Sequence, residues 1–468
     1  MVWDEKKVNE LLLKQREYFN TGETLSIDFR IKMLRTLEEG IRKYEDKLVA
    51  ALEADLARSK VEAYLTDIGD IYIEINETIR NIRRWARPEK HFSGLLCFPS
   101  IVTKVYKMPY GVTLIISPFN FPIYLSFAPL VQAISAGNTA IIKASSKSPN
   151  CTKVMVDLVD EFFDEKYIKV VDGGHDVADM LLNERFDKIF YTGSPKVGKH
   201  VMECASKNLT SVALELGGET GNWCIVRKDA DLRDAARKIA FFKILNAGQI
   251  CININQVAIA KEVASEFLKY LKEEYDRQIG KDSLNNSEYP RLIGKAAYDK
   301  CLNEANEYMD RVVYGGKGDE KSFKFEPTII YPVGIDESIV KHELFSPLLP
   351  IVEYEDKDVD LLLKTISERE HGLALYVFTK DMAWANKVMS TMQYGGGCIN
   401  EVCVHLMVKG VPFNGTGHSG MGAYHGIWGF REFSHPQTVL KGSSKFNLPL
   451  REHPYDDKKF NLIKKFER

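Results

Sequence analysis

The 468-residue chain has no excess of either charge: 63 Lys and Arg stand against 65 Asp and Glu, a net charge of −2. Without a basic field it offers nothing to hold nucleic acid or an anionic membrane surface. Its eight cysteines include no Cys-x-x-Cys pair, and its ten histidines show no ligand spacing, so no metal centre is expected. A chain this long buries a core without disulfides, and its scattered cysteines read as free thiols of a reducing compartment. The opening Met-Val-Trp-Asp-Glu-Lys-Lys-Val has no apolar h-region and is not Arg-rich, which points to a cytoplasmic protein. Repeats and low-complexity segments are also missing, and the stretch 191–198 lacks the Gly-x-Gly-x-x-Gly fingerprint. One uncharged run is long, 108–142, but Pro109, Gly111, Pro118, Pro122, Pro129 and Gly137 interrupt it. It reads as strand, loop and buried helix, and not as a transmembrane span.

What is present is an ordinary globular composition, 45% hydrophobic and 27% charged, long enough for about three domains. Over the first ~85 residues Ile31, Leu34, Leu37, Ile41, Leu48 and Leu52 recur at helical spacings. From 111 to 216 short apolar runs (111–117, 139–144, 168–172, 188–192 and 211–216) alternate with gaps that hold helices near 125–136, 152–163 and 196–207. That alternation predicts a parallel sheet with right-handed crossovers. After Gly217-Gly218 a second α/β series follows, with strands at 222–226, 256–260, 349–352 and 373–378. Residues 412–426 carry five glycines in fifteen and are expected to be a loop, and the tail 456–468 is polar and Lys-rich.

Ligands of open α/β sheets bind beyond the carboxyl ends of the strands. Four such ends carry Asn120, Lys143, Gly193-Ser194 and Glu215, all expected to face one crevice. An amide such as Asn120 can donate to an oxyanion, or merely tie a turn between two prolines. Gly193-Ser194 opens a helix and can meet a phosphate, or simply cap the helix. Glu215 is either a base or a solvated strand end. Cys251 follows Asn246-Ala247-Gly248-Gln249-Ile250. A thiol there is a nucleophile if its surroundings activate it, and otherwise a small buried hydrophobe.

The ordered motifs Ser-Pro-Phe-Asn-Phe-Pro (117–122), Ile-Ile-Lys-Ala-Ser (141–145), Tyr-Thr-Gly-Ser (191–194), Leu-Glu-Leu-Gly-Gly (214–218), Gly-Gln-Ile-Cys (248–251) and Glu-Leu-Phe-Ser-Pro (343–347) resemble the aldehyde dehydrogenase superfamily. Pro412–Gly426 and Phe433-Ser434-His435 resemble its class 3 branch. The resemblance implies an α/β fold: a Rossmann-like parallel-sheet cofactor domain (1–87 and 109–216), a second α/β catalytic domain (217–411), and a small bridging or oligomerisation sheet (88–108 and 412–445) before the tail 446–468. It implies Cys251 as nucleophile, Asn120 with the Cys251 N–H as oxyanion hole, and Glu215 as the base that hydrolyses the thioester. Ser117, Lys143, Ser146, Gly193, Ser194, Gly198, Leu216, Glu343 and Phe345 would bind NAD(P). Tyr64, Leu65, Phe121 and Tyr124 would shape the entrance for an apolar or aromatic aldehyde, and a homodimer is expected.

Departures from the family's pattern carry expectations of their own. Ser146 stands where many relatives place a carboxylate that grips the 2′-hydroxyl of NAD. NADP is therefore expected to be accepted well or preferred, with Lys147 adding attraction. The turn after Gly218 is two residues longer than usual, which a bulge would absorb. Competing readings are a CoA-acylating relative, which typically lacks the glutamate base, and a non-catalytic protein on the same scaffold.

Overall fold

The computed structural model describes residues 2–466. Five parallel strands, β1 (Val112–Ile116), β2 (Thr139–Lys143), β3 (Ile168–Val171), β4 (Lys188–Gly193) and β5 (Ser211–Leu216), form one sheet in the order β5-β4-β1-β2-β3. The strand order reverses at the β1–β4 junction, so a crevice opens there beyond the carboxyl ends. Both faces of this sheet are covered. Helix α1 (Glu5–Asn20) lies against β1 and β2, and α2 (Ile27–Leu56) packs on the helices Tyr124–Ala136 and Pro149–Phe162. The apolar stripe of α2 does this work: Leu34, Leu37, Ile41, Leu48 and Leu52 are fully buried, and Ile31 packs at the margin. The Ser26 hydroxyl caps its first turn by accepting from Phe29 N.

The uncharged run 108–142 resolves into β1, a turn, the wholly buried helix Tyr124–Ala136, and β2. Among the described residues no helix is long and apolar enough to cross a membrane.

A second parallel sheet holds β6 (Asn222–Val226), β7 (Ile254–Ala260), β8 (Thr328–Val333), β9 (Leu348–Tyr354), β10 (Ala374–Phe378) and β11 (Gly396–Ile399), in the order β8-β9-β7-β6-β10-β11. The short Val312–Tyr314 strand closes its β8 edge antiparallel. The pairing of β6 with β7 shifts register between Asn222 and Trp223, and β5 pairs regularly with β4 through Glu215.

A third, antiparallel sheet joins Glu89–Phe92, Val102–Pro109 and Ser434–Leu440. Two sequence expectations need correction. The glycine-rich 412–426 stretch is not wholly irregular, because Gly420–Met421 adds an antiparallel edge to β5 opposite Glu215 and Leu214. Glycine is required there, since a Cβ on Gly420 (φ +139°) would lie 2.2 Å from the Leu214 carbonyl oxygen. The polar tail also contains a helix, Asp457–Phe466, whose Phe460 and Leu462 are exposed.

Candidate active site

The helix Leu232–Ile244 ends in three successive left-handed residues: Asn246 (φ +50°), Ala247 (φ +49°) and Gly248 (φ +76°). Only glycine fits the third, because a Cβ there would lie 2.2 Å from the Ser346 carbonyl oxygen. This turn delivers Cys251 to the amino end of β7, between the two large sheets. The Asn222 amide fixes it from below by donating to the carbonyls of Cys251 and Asn253, each at 2.8 Å.

Cys251 lies in the shared wall of two cavities of different character. The larger, about 970 Å³, is almost wholly apolar, with Phe121, Phe242, Ile252, Leu406 and Phe413 in its lining. The second, about 580 Å³, is lined by Phe119, Asn120, Ser194, Gly217, Glu343 and Phe345 among others. Leu125, Thr192, Glu215 and Cys251 belong to both.

Asn120 is buried at the carboxyl end of β1 and donates one amide N–H to the Gln249 carbonyl at 3.1 Å. Its other N–H is not claimed by that bond. Burial pushes the Cys251 thiol up to about 12, and the carboxylates of Glu343 and Glu215 add to the rise. The backbone N–H groups of Ile252 and Cys251 oppose it, so they lie where negative charge on the sulfur would be felt. Burial holds the Glu215 carboxyl well above the usual carboxylate range, with Glu432 adding to the effect, and its Oε2 has no hydrogen-bond partner. Glu343 is raised to about 7 by burial, against the pull of Lys300 and Lys243.

The second cavity presents groups suited to part of a dinucleotide. The helix Pro195–Ser206 points its amino end at the crevice, with Ser194 as its cap and no acid in its first turn. Glu343 Oε1 and Thr192 Oγ1 are buried without partners. Glycine at 217 leaves room for the Glu343 carboxylate, which a Cβ would approach to 2.1 Å. Outward from there, Phe345 meets Phe119 edge-on at 5.9 Å, and the Lys147 ammonium lies 5.4 Å from the centre of the Phe119 ring. Ser146, beside Lys147, is exposed.

Other expected cofactor residues lie outside both linings. Lys143 ends β2, donates to the carbonyls of Ala144 and Gly173, and is lowered to about 8 by burial. Ser117 bonds the Ser126 hydroxyl at 2.7 Å. Gly198 sits under the helix Pro195–Ser206, where a Cβ would press on Leu216 at 2.9 Å. Phe121 and Tyr124 line the apolar cavity, as does Leu65; Tyr64 is exposed beside Leu65 and lies outside that lining.

Several wall and support residues were not anticipated, among them Thr192, Phe242, Cys403, Asn222 and Arg58. Phe413 and Tyr424 stood inside the quoted Pro412–Gly426 motif without a role, and both line the apolar cavity.

The chain matches the aldehyde dehydrogenase family over residues 2–439. It is 36% identical over 461 residues to the 4,4'-diaponeurosporen-aldehyde dehydrogenase of Staphylococcus aureus, covering 98% of this chain and 99% of that one. It is 34% identical to the "dimeric NADP-preferring" aldehyde dehydrogenase of Canis lupus familiaris, covering 93% and 94% of the two chains. Among solved structures, a substrate-bound state of Staphylococcus aureus AldH superposes with a TM-score of 0.95 at 35% identity, over 98% of this chain and 99% of that one. With two Rossmann-like sheets meeting at a cysteine, and relatives from the class 3 branch along nearly its whole length, the chain belongs to the aldehyde dehydrogenase family and is an NAD(P)-dependent oxidoreductase acting on aldehydes.

Proposed function

We propose that the protein oxidises an apolar or aromatic aldehyde to its carboxylate through covalent intermediates on Cys251. The observation that carries this reading is the meeting of two cavities at Cys251 and Glu215, one almost wholly apolar and one with Asn120, Ser194 and Glu343 in its lining. The aldehyde enters between Phe121, Phe242 and Phe413. The Cys251 thiolate adds to its carbonyl carbon, and the resulting oxyanion accepts from the Asn120 amide and the Cys251 N–H. NAD(P), when bound, would supply the hydride acceptor needed to reach the thioester. Ser194, Glu343 and Phe345 would hold it. Glu215 then takes a proton from water as the water attacks the thioester carbonyl, and the Cys251 sulfur leaves. The burial that raises Glu215 also makes its ionised form a strong proton acceptor.

Ser146 and Lys147 support ready use of NADP, since no carboxylate stands at 146 to repel a 2′-phosphate. The exposed outer edge of Ser434–Leu440, with Val439 and Leu440 open to solvent, supports a homodimer. Glu215 in the shared wall favours hydrolysis over acyl transfer to CoA.

Two variants test the mechanism. Cys251→Ala should abolish oxidation and keep cofactor binding measurable, and retained turnover would remove Cys251 from its role. Glu215→Gln should accumulate an acyl-enzyme visible by intact mass, with no rescue by CoA.

A further inference from the structure

Segments far apart in the sequence meet around one guanidinium. The Arg58 side chain has no exposed surface. Its Nη1 donates to Asp67 Oδ2 and, at 3.3 Å, to Thr66 Oγ1. Its Nε donates to Asn246 Oδ1 at 3.1 Å, and its Nη2 donates to the main-chain carbonyl of Asn120. The guanidinium also lies 4.4 Å from the centre of the Phe121 ring. The second oxygen of Asp67 accepts from the backbone N–H groups of Ile123 and Tyr124, at 3.1 and 2.9 Å. The Arg58–Asp67 pair therefore holds the turn after β1 at both ends.

The bonds close into a ring. The Asn246 amide donates to the carbonyls of Asn120 and Gln249, each at 3.0 Å, and the Asn120 amide donates to the same Gln249 carbonyl. Glu62 Oε1 secures the Asn246 N–H at 2.8 Å. The links tie residues 58–67 to the segment carrying Asn120 and to the one leading into Cys251. A buried ion pair is a poor source of stability compared with apolar packing, so its worth here lies in the geometry it imposes.

We propose that Arg58 is the positioning residue of the oxyanion site: through the Asn120 carbonyl and the Asn246 amide it sets the Asn120 side chain against the nucleophile loop. This rests on Asn120 being the oxyanion donor. The planar fork serves the three directions at once, which the point charge of a lysine does not.

The test is a double-mutant cycle on kcat/KM for the aldehyde at saturating cofactor. Arg58→Lys keeps a cation beside Asp67 and should lower kcat/KM by about 10- to 100-fold, with cofactor Kd changed by less than about twofold. Asn120→Ala alone should cost about 100- to 1,000-fold. In the Asn120→Ala background, Arg58→Lys should then cost less than about threefold, because its effect passes through the missing amide. An equal loss in both backgrounds, or no loss in the wild-type background, overturns the proposal and leaves the Asn120 assignment standing. No loss on Asn120→Ala alone overturns that assignment and the proposal with it. Asn246→Gly provides a second arm should Arg58→Lys fold poorly. It suits the left-handed backbone, removes the amide links and leaves Arg58 in place. It should show the same non-additivity with Asn120→Ala, and wild-type kcat/KM in Asn246→Gly overturns the proposal as well.

Discussion

In the enzyme without cofactor, Cys251 should be a poor nucleophile, and its alkylation rate measures how poor. Burial is the largest cause of its rise from an ordinary 9.0 to about 12, followed by Glu343 and then Glu215. At pH 7.5 a thiol at 12 is ionised in about 3 molecules per 100,000, against about 3 per 100 for a thiol at 9.0. Iodoacetamide should therefore label Cys251 about a thousandfold more slowly than an ordinary surface thiol. The rate should climb about tenfold per pH unit, with no plateau below pH 10. Oxidised cofactor bound in the second cavity would bring a pyridinium cation near the sulfur, which favours the thiolate and should accelerate labelling at least about tenfold. Peptide mass spectrometry separates Cys251 from Cys97 and Cys403, which are partly exposed as it is, and a Cys251→Ser control fixes the background. A cofactor-free titration with its midpoint at or below 9 would refute the reasoning, because burial and two carboxylates would then not govern the sulfur.

Three further outcomes are expected. Ser146→Glu places a charge where a 2′-phosphate would lie and should lower the NADP/NAD ratio of kcat/KM by at least about tenfold; an unchanged ratio assigns the discrimination elsewhere. Each CH₂ added between butanal and octanal should raise kcat/KM about fourfold, from about 0.8 kcal/mol per buried methylene, and a flat series would put the substrate outside the apolar cavity. Gly137→Ala should destabilise the fold by about 1–3 kcal/mol in urea melts, because residue 137 has φ +98° and a Cβ would lie 2.5 Å from Arg30 Nη2. Arg30 is itself buried and bound to the carbonyls of Thr24, Leu25 and Ser135, so it has little room to yield.

The first sheet was legible because parallel strands covered on both faces read as unbroken apolar runs, and each lay within a residue or two of its expected place. The stretch 280–330 was not. Its strands Val312–Tyr314, Gly318–Asp319 and Lys324–Phe325 have two or three residues each, too few for a period to show. The site was legible only in part. Composition and spacing left Asn120, Glu215 and Cys251 open between chemistry and structure, and the ordered motifs gave them their roles. No local pattern marks Arg58, because its partners Asn120 and Asn246 lie 62 and 188 residues away.

The two acidic candidates for the base differ in what they can reach. Glu343 belongs only to the second cavity, over Gly217, where a dinucleotide held as proposed would cover it. Glu215 belongs to both cavities, and water on the aldehyde side can still meet it after the cofactor is seated. The electrostatics agree. Glu343 contributes more than Glu215 to raising Cys251 and is itself raised only to about 7. Glu215 is held well above the carboxylate range by burial, with Glu432 adding to the effect. Glu215→Gln should therefore leave the thioester standing, while Glu343→Gln should hydrolyse it and show its defect as a raised KM for NAD(P). The reverse pattern, a persistent acyl-enzyme in Glu343→Gln beside wild-type hydrolysis in Glu215→Gln, would exchange the two roles.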